Sequence, residues 1–378
     1  MPSSSDDAMT NPNWTTLPMD LVERIGGLLI SDDASDFVRL RAVCHPWRSS
    51  TVETKSRADF FYPRNWIMLS NPKSSPSDVC FFNTSTHKSF SFDLTPYLDT
   101  YSLFRALDYL FLLKHKITQD FALLNPFMKS ITPLPSKIES NRANAPKRLE
   151  DMFEQIIHLE GVFVTSSFTI VLQFGQEDFL RTKLGDQSWM YGGFNVWIDG
   201  NVLFCKDRLL FVTSDDRGLV QINLANEIPI KPQVEIVISS NELPYGPSME
   251  ERCYLVDCDG EIILVTFNRR HHQWESFETY KLDLNEKTYV RLPNLGNRSI
   301  FIGHDRTFSV SCDNLSSVPA NFIYLCELRR YETACYNLKT NRVKCLFGEP
   351  FLNSFPLLEK LIKCCARPCW KLASEDDE

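Results

Sequence analysis

Between residues 13 and 52 apolar side chains recur every three to four positions, and from about residue 60 they alternate or run together in short blocks. The first pattern predicts helices and the second predicts strands. Leu17, Leu21, Ile25, Leu28 and Leu29 form one helical stripe. Leu17-Pro18 opens it, because the missing N–H of proline is no loss in a first helical turn, and Asp20 complements the positive end of the helix dipole. Ser31-Asp32-Asp33 breaks the stripe and supplies capping side chains. A second helix carries Phe37, Leu40, Val43 and Cys44 on one face, with Arg39 and Arg41 off it, and His45-Pro46-Trp47-Arg48 starts a short third helix. Three short helices cannot bury this much apolar surface alone. Leu17, Pro18, Ile25 and Trp47 therefore need a cover, from the rest of the chain or from another protein. Gly26-Gly27 sits inside the first helix, where each glycine costs about 1 kcal/mol against alanine, and reads as a weak point.

The strand-like region repeats one phrase: a strand ending at Asn or Asp, a short polar turn, then a second strand often closing on proline. It occurs at Asn83, Asn125, Asn223, Asp283 and Asn337, and more weakly near Gly175. Units of about 50 residues match one four-stranded sheet with its connections, the spacing of β-propeller blades. Asn and Asp suit such turns because they tolerate left-handed backbone and hydrogen-bond their own main chain. The expectation is about six irregular blades, with an irregular β-sandwich assembly as the alternative. Asp259-Gly260 predicts a tight hairpin, and Leu295 to Ser299 predicts a turn with Arg298 at its tip, serving as blade scaffolding. Phe351, Phe355, Leu358 and Ile362 return to helical spacing and predict a helix packed on the last blade.

Composition narrows the function. The chain has 378 residues, 43 % hydrophobic, with a net charge of −8, too acidic for sequence-independent nucleic-acid binding. The N-terminus lacks the apolar core of a secretory signal, and no stretch predicts a membrane span. The twelve cysteines are scattered and read as buried free thiols of a reducing compartment. Cys364, Cys365 and Cys369 cluster, but with no histidine nearby they make a poor zinc site. His271-His272 reads as a surface hairpin tip. Phosphate loops, nucleophile elbows and zinc-protease motifs are absent from the sequence, so no catalytic residue, metal or cofactor is expected.

The string LPMDLVERI followed by DFVRLRAVCHPWRS resembles an F-box, the segment that docks substrate receptors onto the Skp-type adaptor of SCF ubiquitin ligases. Asp259-Gly260, Leu282 to Leu284, Leu295 to Gly303 and Asn321 to Tyr324 are similar to plant F-box proteins carrying the kelch-like domain of unknown function 295. That likeness is good over about 255 to 345 and looser before it.

The resemblance implies an α+β multidomain chain: a disordered N-terminus (1–12), a three-helix F-box (13–55), an all-β, β-propeller-like substrate-recognition domain (60–350), and a C-terminal segment with an acidic tail (351–378). It implies adaptor contacts through Leu17, Pro18, Leu21, Ile25, Leu29, Leu40, Val43, Cys44 and Trp47. The partners would be the adaptor, a cullin held through it, and an unidentified protein substrate, in the nucleus or cytoplasm and away from nucleic acid and membrane. A non-degradative scaffold or regulatory propeller is the alternative function.

Overall fold

The two periodicities separate into two compact units, Met1–Arg64 and Asn65–Glu378. The computed structural model describes residues 14–32, 34–51, 65–69, 75–106, 109–140, 147–149, 159–165, 169–174, 178–183, 185–193, 198–205, 208–213, 218–224, 234–244, 251–270, 273–303, 306–327, 332–345 and 355–366. No helix among them is long and apolar enough to cross a membrane.

The first unit is a short 3-10 turn, Trp14–Thr16, followed by α1 (Met19–Asp32), α2 (Ala34–Val43) and α3 (His45–Ser50). Pro18 stands just ahead of α1 rather than inside it, and its carbonyl accepts from the Leu21 and Val22 amides, both at 3.1 Å. It thus occupies the capping position that accepts the first helical bond. Ser31 and Asp32 complete the last turn of α1 instead of breaking it; Asp33 lies outside the described residues. Cys44 leaves the face of α2 and takes an extended conformation (φ −157°, ψ 165°) ahead of α3, whose first turn contains Pro46.

The second unit is a six-bladed β-propeller, one sheet per blade. The first blade has three strands, β1 (Trp66–Met68), β2 (Val79–Asn83) and β3 (Ser89–Phe92). The second has β4 (Tyr101–Ala106), β5 (Phe111–His115), β6 (Phe121–Asn125) and β7 (Ser130–Pro133). The third follows the order β8-β12-β11-β10-β9, from β8 (Lys137–Glu139), β9 (Leu159–Val164), β10 (Thr169–Phe174), β11 (Asp178–Lys183) and β12 (Ser188–Gly193), with β8 parallel to β12. The fourth has β13 (Ile198–Cys205), β14 (Arg208–Thr213), β15 (Leu219–Asn223) and β16 (Glu235–Ile238), and the fifth β17 (Glu251–Cys258), β18 (Glu261–Arg270), β19 (Gln273–Asp283) and β20 (Thr288–Leu292). The sixth runs β22-β21-β23-β24-β25, from β21 (Arg298–Ile302), β22 (Thr307–Ser311), β23 (Phe322–Glu327), β24 (Glu332–Asn337) and β25 (Arg342–Cys345). The chain then forms α4 (Pro356–Ala366).

Apolar strand faces bury against the next blade. Phe81, Phe92 and Trp66 of the first blade pack with Phe111 and Leu113 of the second, and Leu210 and Val212 of the fourth with Leu255 and Leu264 of the fifth. Val256 and Ile263 of the fifth meet Ile300 and Ile323 of the sixth. Leading strands β13 and β17 pack together, and β17 packs on β22. There side chains complete the open edge of β17. Asn201 exchanges two hydrogen bonds with the main chain of Leu255 (2.9 and 2.8 Å), Thr307 donates to the same carbonyl at 2.8 Å, and Ser309 donates to Asp257 O at 2.9 Å.

The repeated Asn or Asp caps the turn. Asn83, Asn125, Asp283 and Asn337 each accept, through Oδ1, the amides two and three residues ahead, at 2.8 to 3.2 Å. The left-handed residue is not the cap but the one four positions on: His87, Lys129, Lys287 and Asn341, with φ between 52° and 59°. Each of these turns joins the last two strands of its blade. The weak repeat near Gly175 is a correction, because it falls between β10 and β11, the middle of the third blade. The equivalent turn joins β11 to β12, where Asp186 accepts from the Lys183 amide at 2.9 Å. Asp259 (φ 56°) and Gly260 (φ 88°) form the expected two-residue hairpin between β17 and β18; positive φ at both positions is the mark of a type I′ turn.

Candidate functional site

The helical unit has a small interior of its own. Val22 from α1, Phe37 and Leu40 from α2, and Thr51 after α3 are buried there. Gly26 is buried with them: a β-carbon on it would stand 3.0 Å from Thr51 Cγ2, 3.1 Å from Phe37 Cε2 and 3.4 Å from Leu40 Cδ2. The glycine is therefore a point of close helix approach, and its reading as a defect is corrected. Arg41, which the sequence places off the apolar face, clamps the unit by donating to Thr51 O at 2.5 Å and Thr51 Oγ1 at 3.0 Å. The threonine hydroxyl in turn donates to Trp47 O at 2.8 Å, and Arg48 Nε donates to Arg41 O at 3.1 Å.

A helix turns 100° per residue, so neighbours in sequence face different ways. Val22 and Gly26 point at α2, while Leu21 and Ile25, one position earlier in each turn, do not. They stay 42 % and 38 % exposed, and Val43 at the end of α2 is 57 % exposed. Pro18 is exposed as well, and Leu17, Leu29, Cys44 and Trp47 are half-buried. Eight of the nine expected residues thus keep some exposed surface. Leu40 is the correction: at 8 % exposure it is spent on the unit's own interior, because the α2 stripe must first hold α1. Trp14 and Met19 are exposed too, at 64 % and 49 %.

Burial pushes the Cys258 thiol up to about 11 and raises Cys80 and Cys312 as well, so all three are protonated and weakly nucleophilic at neutral pH. The ten cysteines among the described residues form no disulfide with one another, and those residues contain no group of three or more His, Cys, Asp or Glu able to hold a metal ion. Cys364 and Cys365 are buried; Cys369 and His271-His272 lie outside the described residues. Arg298 does act as scaffolding: it pairs with Asp259 and donates to Ser309 at 2.8 Å, joining two blades.

An F-box/kelch-repeat protein of Arabidopsis thaliana is 22 % identical over 340 residues, covering 87 % of this chain and 86 % of that protein. Among solved structures, the β-propeller domain of Myceliophteria thermophila Cps50 (Swd1) aligns with 72 % of this chain and 78 % of its own, at 11 % identity and a TM-score of 0.33. The KIB1-4 beta-propeller family matches residues 81–343, well over half of the sequence. The chain belongs to the KIB1-4 beta-propeller family.

Proposed function

We propose that this protein is the substrate-recognition subunit of an SCF-type ubiquitin ligase. The open side of α1 docks a Skp-type adaptor, and through it a cullin, while the propeller holds a protein target. One observation carries the reading: Leu21, Ile25 and Val43 are left outside a unit whose interior is already filled by Val22, Phe37, Leu40 and the close approach at Gly26. Exposed apolar anchors on a rigid helical frame are what a protein interface concentrates its energy in. The distant F-box/kelch relative supports the same reading.

Such a receptor is not itself an enzyme. It contributes proximity, raising the effective concentration of target lysines near a charged ubiquitin carrier. Ten described cysteines that form no disulfide with one another suit a reducing compartment, hence nucleus or cytoplasm, and the net charge of −8 disfavours nucleic acid as a partner.

Leu21→Asp with Ile25→Asp in the full chain tests it. Calorimetric titration with purified adaptor should show at least a 100-fold loss of affinity, about 2.7 kcal/mol, with propeller melting unchanged. Undiminished affinity would remove the assignment. Adaptor binding without cullin-dependent turnover of any target would favour a non-degradative scaffold.

A further inference from the structure

The first and sixth blades meet without sharing a strand. In the described residues every strand of the first sheet comes from 66–92 and every strand of the sixth from 298–345. Among the described residues the ring is therefore not closed by a shared strand between its ends, and one main-chain bond, Ser311 N to Thr84 O, crosses there. What fills this seam is α4. Leu358 and Leu361 are fully buried and Ile362 nearly so, in one cluster with Ile67 and Phe82 of the first blade and Phe301, Phe308 and Tyr324 of the sixth. Cys364 donates its thiol hydrogen to Met68 O at 3.2 Å and accepts from Arg306 Nη1 at 3.3 Å, so one side chain touches both blades.

We propose that α4 is a removable clasp: its docking closes the ring, and its release opens the seam between the first and sixth blades while the other blade interfaces stay shut. Two physical points support removal as a unit. An eleven-residue helix is marginal in water on its own, so α4 exists because it is seated, and unseating and unwinding are one event. Its hold is made of side chains, whereas each blade is held within by strand ladders.

The rest of the seam is polar and lies elsewhere. Ser311 N donates to Thr84 O at 2.8 Å, and His87 Nε2 lies 2.7 Å from Ser311 O. With α4 gone these bonds alone would span the seam, leaving an apolar trough over Ile67, Phe82 and Phe301 shaped for an amphipathic helix.

The fold carries its own reporters. Cys364 and Cys365 are buried on the clasp itself, in its last turn, and Cys253 and Cys258 are buried in the fifth blade. Iodoacetamide labelling of the full chain, read by mass spectrometry, gives a rate at each thiol. Each rate is divided by that of the same thiol in the urea-unfolded chain.

Cys364 and Cys365 should label at least tenfold faster than Cys253 and Cys258. Gly303→Ala sharpens the result, since its β-carbon would stand only 2.0 Å from the Cys365 carbonyl oxygen and 2.9 Å from the carbonyl carbon. That variant should speed labelling of Cys364 and Cys365 a further tenfold and leave the fifth blade unchanged. Leu361→Ala, which weakens the seat without forcing a clash, should act in the same direction. Equal protection of all four thiols in the native chain would overturn the proposal. So would joint acceleration of all four in Leu361→Ala, because α4 would then leave only with the whole ring.

Discussion

The two units handle apolar residues in opposite ways. In the propeller, most large apolar side chains are turned into the blade interfaces, with Ile117, Ile131, Ile236 and Val290 left exposed on separate strands and turns, and turn amides are satisfied by the Asn or Asp that precedes them. In the helical unit, Leu21, Ile25 and Val43 are turned out while Val22 and Phe37 are turned in. A surface that stays apolar beside a completed core is not a failure to fold but a surface kept for something else. The contrast also separates two kinds of residue that one motif lists side by side: those that make the unit and those it presents.

Leu40 and Leu21 offer the sharpest way to break that contrast. Leu40→Ala removes a buried side chain and should destabilise the helical unit by about 2–5 kcal/mol, whereas Leu21→Ala, on the open side, should change stability by no more than about 0.5 kcal/mol. Hydrogen exchange of α2 amides in the full chain measures both. Equal losses would mean that Leu21 belongs to the interior and that the open side is smaller than described.

Gly26→Ala is the next test. Alanine is better than glycine in a helix by about 1 kcal/mol, so a free helix would gain. Here the new methyl would press on Thr51, which Arg41 and Trp47 O hold in place, and on a fully buried Phe37. Neither can retreat cheaply, and crowding of a packed core costs about 1–3 kcal/mol. A net loss is expected by the same exchange measurement. A net gain would restore the view of this glycine as a weak point.

The smallest effect belongs to the propeller. Asn337→Ala removes a cap that accepts from Lys339 N at 2.9 Å and Thr340 N at 3.2 Å. The cost should be about 1 kcal/mol, seen as faster exchange confined to the β24–β25 turn. Destabilisation spread over the sixth blade would show that the caps hold whole sheets.

Legibility in the sequence followed locality. The Asn and Asp turns were readable because cap, bonded amides and left-handed residue fall within five positions. The exception near Gly175 arose because a middle hairpin and a last hairpin look alike without knowledge of strand order. The stripe through Leu21 and Ile25 was readable as helical, but Leu40 was assigned to the same surface because a helical repeat does not show which part of a wide apolar arc meets a neighbouring helix. Gly26 was misread for a related reason: its use depends on Thr51, Phe37 and Leu40 arriving from other segments. The clamp by Arg41 and the completion of β17 by Asn201, Thr307 and Ser309 were invisible, since side-chain bonds between distant segments leave no period.

The position of α4 has a consequence for synthesis. Translation proceeds at roughly 5–20 residues per second, so the stretch of about 300 residues from β1 to α4 leaves the ribosome over an interval on the order of 15–60 s. For all of it the nascent ring lacks the piece that fills its last joint, and Ile67 and Phe82, among the earliest of its residues to emerge, wait uncovered for nearly the latest. The helical unit emerges before any of this, and Val22, Phe37 and Leu40 give it a core of its own.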